Sequence, residues 1–288
     1  MLMIKIILVP MDGTEASAEV LSTALVVASR FNSHIKAVHV REPASEPFMF
    51  SGMPESYRQE FADMNTRALD EVSDKVRQQF DAFIEQGGVK KTRKPSAVPQ
   101  VTASLHLFDG DPETVLVSES RLVDVISMSR PRKHRIGGPG VGELHESLML
   151  RSGRPVMIVP PGSEWQAHRV DHAAIGWNDS VEASRALSMT LPWLTQVKKV
   201  TVLVSKKRET GVGAVTEYLK WHGCKADHQV MTGKGTNVGK KMLASCAEIG
   251  AEFLVVGGFS HTRTRQRLFG GVTSHLLSST NIITVMAH

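Results

Sequence analysis

Cysteine is almost missing: only Cys224 and Cys246 occur in 288 residues. A disulfide framework is therefore excluded, a reducing cytoplasm fits, and both thiols read as half-buried side chains with no redox role. No run approaches the roughly 18 consecutive apolar residues of a membrane-spanning helix. The opening "MLMIKIILVP" runs straight into "MDGTEAS" without a cleavage pattern, so it reads as a buried first strand and not a signal peptide. A soluble cytoplasmic protein with no membrane partner is expected. Aromatic residues make up 6% of the chain, and Trp165, Trp177, Trp193 and Trp221 are scattered. No stacking platform or motif for specific nucleic-acid binding results. Twelve histidines are present, yet no HExxH and no Cys–His cluster groups them. His168 and His172 flank the start of a strand and do not share a helix face. The hydrolase signatures GxSxG and GxxxxGK[ST] are missing as well.

Basic residues are in excess, with a net charge of +5 and a pI near 9.2. That balance admits anionic ligands without requiring a polymer. "KKTRK" (90–94) reads as a solvated loop, whereas "RPRKHR" (130–135) and "RTRQR" (263–267) follow equivalent strands in two halves of a repeat.

The repeat is the strongest feature. "KIILVPMDGTEASAEVLSTAL" is answered by "HAAIGWNDSVEASRALSMTL". Each is an apolar strand, a small polar turn, and a helix with apolar residues at three- and four-residue spacing. Thr14 and Ser180 stand where N-caps belong. "HIKAVHV" matches "KVTVLVS", "LVDVISMS" matches "EFLVVGG", and "RPVMIVP" matches "NIITVMAH". Five strands alternating with four helices are expected in each half, hence parallel sheets covered on both faces. "PPGSEW" (160–165) reads as the linker, giving domains at 1–161 and 170–288. The first carries an insertion at 43–87, beginning with a surface loop that includes "FMF" (48–50). The insertion ends in a long helix with Phe61, Met64, Ala68, Leu69, Val72, Val76, Phe80 and Phe83 on one stripe, read as core. Ligands of such sheets lie beyond the strands' carboxyl ends. On that rule "MDGT" and "GGFSHTR" are expected in one neighbourhood. "FDGDPE" (108–113) reads as a turn opening a helix at Asp111-Pro112.

With both halves laid out, the chain resembles the universal stress protein family in its tandem two-domain form. The resemblance rests on "ILVPMDGTEAS", "AVHV", "GDPETVL", "FLVVGGFSHTRTRQRLFGGVTSHLL" and "IITVMAH". It implies two tandem doubly wound five-stranded parallel-sheet α/β domains, adenine nucleotide alpha hydrolase-like, paired about a pseudo-twofold axis. It also implies ATP or AMP binding, with or without Mg²⁺, a stress-protective role, and pairing through the last strands. In a tandem chain that pair is internal, a pseudo-dimer, with a homodimer of whole chains as a further level.

The family's phosphate pattern is glycine, two residues, glycine, nine residues, glycine, then serine or threonine. Gly257 takes the first place here, with Gly258 beside it, and Ser260 stands at the second glycine. His261 lies within the loop, Gly270 holds the third place, and Gly271 replaces the hydroxyl residue. The helix that follows, through Val272 and Thr273, offers free N–H groups and a partial positive charge. Asn178 and Ser205 stand at the family's base- and ribose-side positions in this half. The first half keeps Asp12 and Val40 at those positions, but its phosphate loop is interrupted by Pro139 and crowded with arginine. One nucleotide per chain, in the second half, is the expectation. The plain alternative is that the four glycines only make tight turns.

Three readings stand. The first is a stress-response protein that binds an adenine nucleotide weakly and acts through binding and signalling, with no catalytic residue. The second is a slow ATP hydrolase or AMP-transferring enzyme of the same fold. The third is a nucleotide-free dimerisation and interaction module.

Overall fold

The computed structural model describes residues 3–42, 54–131, 142–163, 170–232, 236–259 and 271–288. The first half runs β1 (Ile6–Pro10), α1 (Glu15–Phe31), β2 (His34–Arg41), α2 (Glu55–Gly87), β3 (Lys90–Lys91), β4 (Thr102–Asp109), α3 (Pro112–Ser120), β5 (Val125–Ser129), α4 (Glu143–Arg151) and β6 (Val156–Val159). The second runs β7 (His172–Gly176), α5 (Val181–Leu194), β8 (Lys199–Val204), a 3-10 turn (Lys206–Gly211), α6 (Val212–Trp221), β9 (Ala226–Val230), α7 (Val238–Ile249), β10 (Phe253–Gly257), α8 (Gly271–Ser279) and β11 (Ile283–Ala287). The expected alternation is present. Among the described residues the additions are the 3-10 turn and β3, where two residues of the basic "KKTRK" stretch pair with Thr102 and Ala103 while staying exposed.

Four of the helices, α1, α3, α5 and α7, start where short polar side chains take free N–H groups. Thr14 accepts from Ser17 N, Ser180 from Ala183 N, Asp111 from Thr114 N and Asn237 from Lys240 N. The repeat is written into the hydrogen bonds. Asp124 Oδ2 accepts from Lys5 N and Ile6 N at 2.6 and 2.9 Å, and Glu252 Oε2 likewise accepts from Asp171 N and His172 N. Met11 N donates to Val38 O at 2.8 Å, and Trp177 N to Leu203 O at 2.9 Å.

Among the described residues the strands form one 11-stranded sheet, in the order β3-β4-β2-β1-β5-β6-β11-β10-β7-β8-β9, with parallel pairing throughout each half and antiparallel pairing only where β6 meets β11. Thr284 faces Ile158, Val285 faces Met157 and Met286 faces Val156 in that joint. Mutual pairing covers two strand edges that would otherwise be open. The expected antiparallel pairing of the last strands is thus present.

The joint also overturns one expectation. Because β6 and β11 run in opposite directions, the carboxyl ends of the two sets of parallel strands face opposite ways. "MDGT", after β1, and the turn after β10 are therefore at opposite ends of the molecule. The sequence rule holds within each half, not between halves.

The core lies in two layers, one on each face of the sheet, and each layer draws on both halves. One joins Val27 and Phe80 with Leu187 and Phe253; the other joins Leu116 and Leu148 with Met242 and Leu276. The apolar stripe of α2 is core only in its second part. Val76 and Phe80 are fully buried and Phe83 nearly so, whereas Met64 is 61% exposed and Val72 40%. The helix is 33 residues long, several turns more than the sheet beneath it needs, so its first turns extend past the strands. Its second part is tied down by Gln79, whose Nε2 donates to the carbonyls of Gly13 and Thr14 at 3.2 Å. "FMF" lies outside the described residues. Among those described, no helix is long and apolar enough to cross a membrane.

Candidate functional site

A cavity of about 450 Å³ opens at the carboxyl ends of β7, β8, β9 and β10. Sites that enclose most of a small ligand run from roughly 300 to 1,000 Å³, so a nucleotide fits. Gly176, Val256 and Met242 form its floor. A Cβ on Gly176 would come within 2.6 Å of Met242 Cε and 2.9 Å of Val256 Cγ1, so only glycine leaves that floor intact. Trp177 and Asn178, directly after β7, make one wall. The turn there is tight, with Asp179 at φ 60° before the Ser180 cap of α5. Ser205 and Arg208 follow β8, Met231 follows β9, and Asn237 and Val238 open α7. Asn237 Oδ1 is held by Lys240 N at 2.9 Å, which fixes the side chain at the rim.

The phosphate-side residues divide. Gly257, Gly271, Val272 and Thr273 line the cavity. A Cβ on Gly257 would lie 2.5 Å from Ala183 N and 2.7 Å from the Glu182 carbonyl carbon, so α5 requires glycine there whatever the site holds. Gly271 has open space where a Cβ would go, and it begins α8. The first N–H groups of a helix have no partner within it, and they carry its positive end. Gly258 is turned away: its N–H donates to Ala287 O at 2.8 Å and its carbonyl accepts from His288 Nδ1 at 3.2 Å. The next residue, Phe259, sits at φ 60°, and its N–H donates to Thr273 Oγ1 at 3.2 Å. Ser260, His261 and Gly270 lie outside the described residues, as does the basic stretch 263–267.

Asp12 and Val40 are not brought to this cavity. They follow β1 and end β2, at the opposite end of the molecule. Asp12 Oδ1 is bound within its own turn, accepting from Thr14 N at 3.0 Å and Thr14 Oγ1 at 2.6 Å. The first half's counterpart to the start of α8 is the start of α4, and it is built differently. His145, at the place of Thr273, is buried with Nε2 2.8 Å from Ser129 O, and burial lowers its pKa. Glu143 and Glu146 occupy the first turn of α4, where α8 carries no acidic residue. Burial, then the neighbouring Glu143, raises the pKa of Glu146. Carboxylates in that position oppose a phosphate.

Sequence reasoning missed Trp177, Arg208, Met231, Asn237, Val238 and Met242, all of which line the cavity. Trp177 had a signal, since it stands beside Asn178. Arg208, Met231 and Asn237 come from the segments after β8 and β9, and Val238 and Met242 from α7, none of which carries a family motif. The charge of the described lining is simple: Arg208 is its one ionic side chain, paired with Asp179 Oδ2 at 3.3 Å. Cys246 lies beneath the cavity region in the same core layer as Met242, with its thiol pushed up to about 12 by burial. Among the described residues, no group of three or more His, Cys, Asp and Glu is arranged to hold a metal. His168 lies outside them.

The fold and cavity define a doubly wound α/β protein with a ligand-sized site at a set of parallel strand ends. The sequence matches the model of the universal stress protein family over residues 3–160, more than half of its length, and the chain belongs to that family. In structure it is similar to a universal stress protein from Archaeoglobus fulgidus DSM 4304. That likeness has 17% identity and a TM-score of 0.67, covering 98% of this chain and 95% of that one. It is also similar to a functionally unknown protein from Pseudomonas aeruginosa PAO1, at 11% identity and a TM-score of 0.58, covering 99% of this chain and 92% of that one. At these identities the likeness concerns the fold. Among curated proteins, none matches the sequence.

Proposed function

We propose that this is a stress-response protein of the cytoplasm that binds one adenine nucleotide, ATP or AMP, and acts through binding and signalling. The cavity of the second half, in the unit 170–288, is the site; the unit 1–161 holds none. One observation carries the reading: a 450 Å³ cavity at the strand ends includes the open start of α8 at Gly271 and the residues Asn178, Ser205 and Gly257. An apolar body of Trp177, Met231, Val238 and Met242 suits a base, and the helix start suits phosphate. Binding is weak, because Gly271 supplies no hydroxyl and the N–H of Gly258 is already bonded to Ala287. Turnover is not supported by the described lining, which contains no carboxylate or imidazole to hold Mg²⁺ or orient water.

Isothermal titration with ATP and AMP tests this, together with Gly271→Asp. A side chain at 271 meets open space, and aspartate at a helix start is favourable by a few tenths to about 1 kcal/mol. The variant should therefore keep or slightly raise the unfolding midpoint while losing nucleotide binding. Two equal sites per chain, or unchanged binding by Gly271→Asp, would defeat the proposal.

A further inference from the structure

The described lining of the cavity holds one cation, Arg208, and no carboxylate. Arg208 stands well apart from the start of α8. In the order β10-β7-β8, one strand separates the ends from which Gly257 and Ser205 emerge, and two inter-strand spacings amount to about 10 Å. The cavity thus has two electropositive ends, the N–H groups at Gly271 and the guanidinium beyond β8. Asp179 lies outside the lining and holds Arg208 through one amino group, Nη1. Guanidinium has five donors in a planar fork, so the remainder can address a second anion.

Between these ends stands Asn178, two residues past β7, where the first half has Asp12 two residues past β1. A carboxylate beside a ribose accepts from its free hydroxyls and repels phosphate on them. A neutral side chain with an arginine nearby admits that phosphate, the exchange that separates dinucleotide sites for the 2′-phosphorylated cofactor from those for the plain one. The amide at 178 and the cation at 208 point the same way.

We infer that the cavity selects an adenine nucleotide with phosphate on both sides of its sugar, the 5′-phosphate at the start of α8 and a 2′- or 3′-phosphate on Arg208. The inference rests on the nucleotide reading of the cavity. Arg208 is the specificity-determining residue, and it acts on the ligand directly.

Titration calorimetry on the intact chain tests it with AMP, adenosine 3′,5′-bisphosphate and adenosine 2′,5′-bisphosphate. One bisphosphate should bind about tenfold more tightly than AMP or better, as a charge-assisted pair at a half-exposed guanidinium allows. Arg208→Gln should bring that ratio close to one, and Arg208→Lys, which keeps the charge without the fork, should retain part of it. Equal binding of AMP and both bisphosphates by the wild type overturns the inference, as does a preference that survives Arg208→Gln. AMP binding without any preference removes this inference alone. Failure of all three ligands to bind removes the nucleotide reading and this inference together.

Discussion

Glycines 257 and 271 line the same cavity for different reasons. Gly257 is fixed by the backbone of α5, 2.5 Å from where its Cβ would be, whereas Gly271 faces open space. A spaced-glycine pattern alone could not separate them, because packing and ligand access both ask for the missing Cβ. Asn178 and Ser205 were singled out through the family resemblance, which places contacts just past the ends of the first two strands, and both lie there and line the cavity. Arg208, Met231 and Asn237 were not singled out, since their turns reach the cavity only through the pairing of β7 with β8 and β8 with β9. His145 shows a residue whose chemistry is set first by burial, with the bond to Ser129 O acting against it. Its imidazole is held near neutral form against Ser129 O, with its pKa lowered, as are those of His34, His106 and His172. A folded-state pKa below the unfolded one gives stability that is full above the usual imidazole range, about 6.5, and declines as pH falls through it. Unfolding midpoints in urea should therefore drop from about pH 7 to pH 5, and His145→Gln should flatten part of that slope. An identical slope in the variant would refute the role given to this side chain.

At the scale of elements, α2 separates pattern from burial. Its stripe runs at one helical period from Phe61 to Phe83, but the sheet is available to cover only the later turns. Periodicity reports which residues share a face; it does not report how far the facing layer extends. Phe80→Ala should cost about 3–5 kcal/mol, because the ring is fully buried among core side chains. Met64→Ala, on the same stripe but largely exposed, should stay within about 0.5 kcal/mol of wild type. Comparable losses at both positions in chemical denaturation would mean that the first turns of α2 are covered in solution. Two caps, in contrast, were legible from local sequence alone. Thr14 and Ser180 start α1 and α5 as their side chains dictate, since that bond needs only residues three apart.

For the whole molecule, the alternation of strands and helices could be read in the sequence, whereas the seam between the last strands came from the family resemblance, with the covering of two open edges as its physical reason. The antiparallel direction of the seam was expected too; what was misread is its consequence, that it sends the turns after β1 and β10 to opposite ends. The shared core layers carry a thermodynamic consequence. Each face of the sheet packs side chains from both halves into one cluster, so neither half can lose its packing without exposing the other's. Calorimetry should show one transition, with calorimetric and van't Hoff enthalpies in agreement. Two resolved transitions would mean that the seam is weaker than its packing indicates.

The antiparallel joint between β6 and β11 also fixes what the two ends of the protein can know of each other. A small molecule seated beyond β10 and a macromolecule resting on the turns beyond β1 would occupy opposite poles, out of reach of any direct contact. One route between them is the sheet itself, by way of the three facing pairs Thr284–Ile158, Val285–Met157 and Met286–Val156 and the side chains packed above and below them. Among the described residues, the joint that holds the halves together is also the one place where the backbone pairing of the sheet passes from one half to the other.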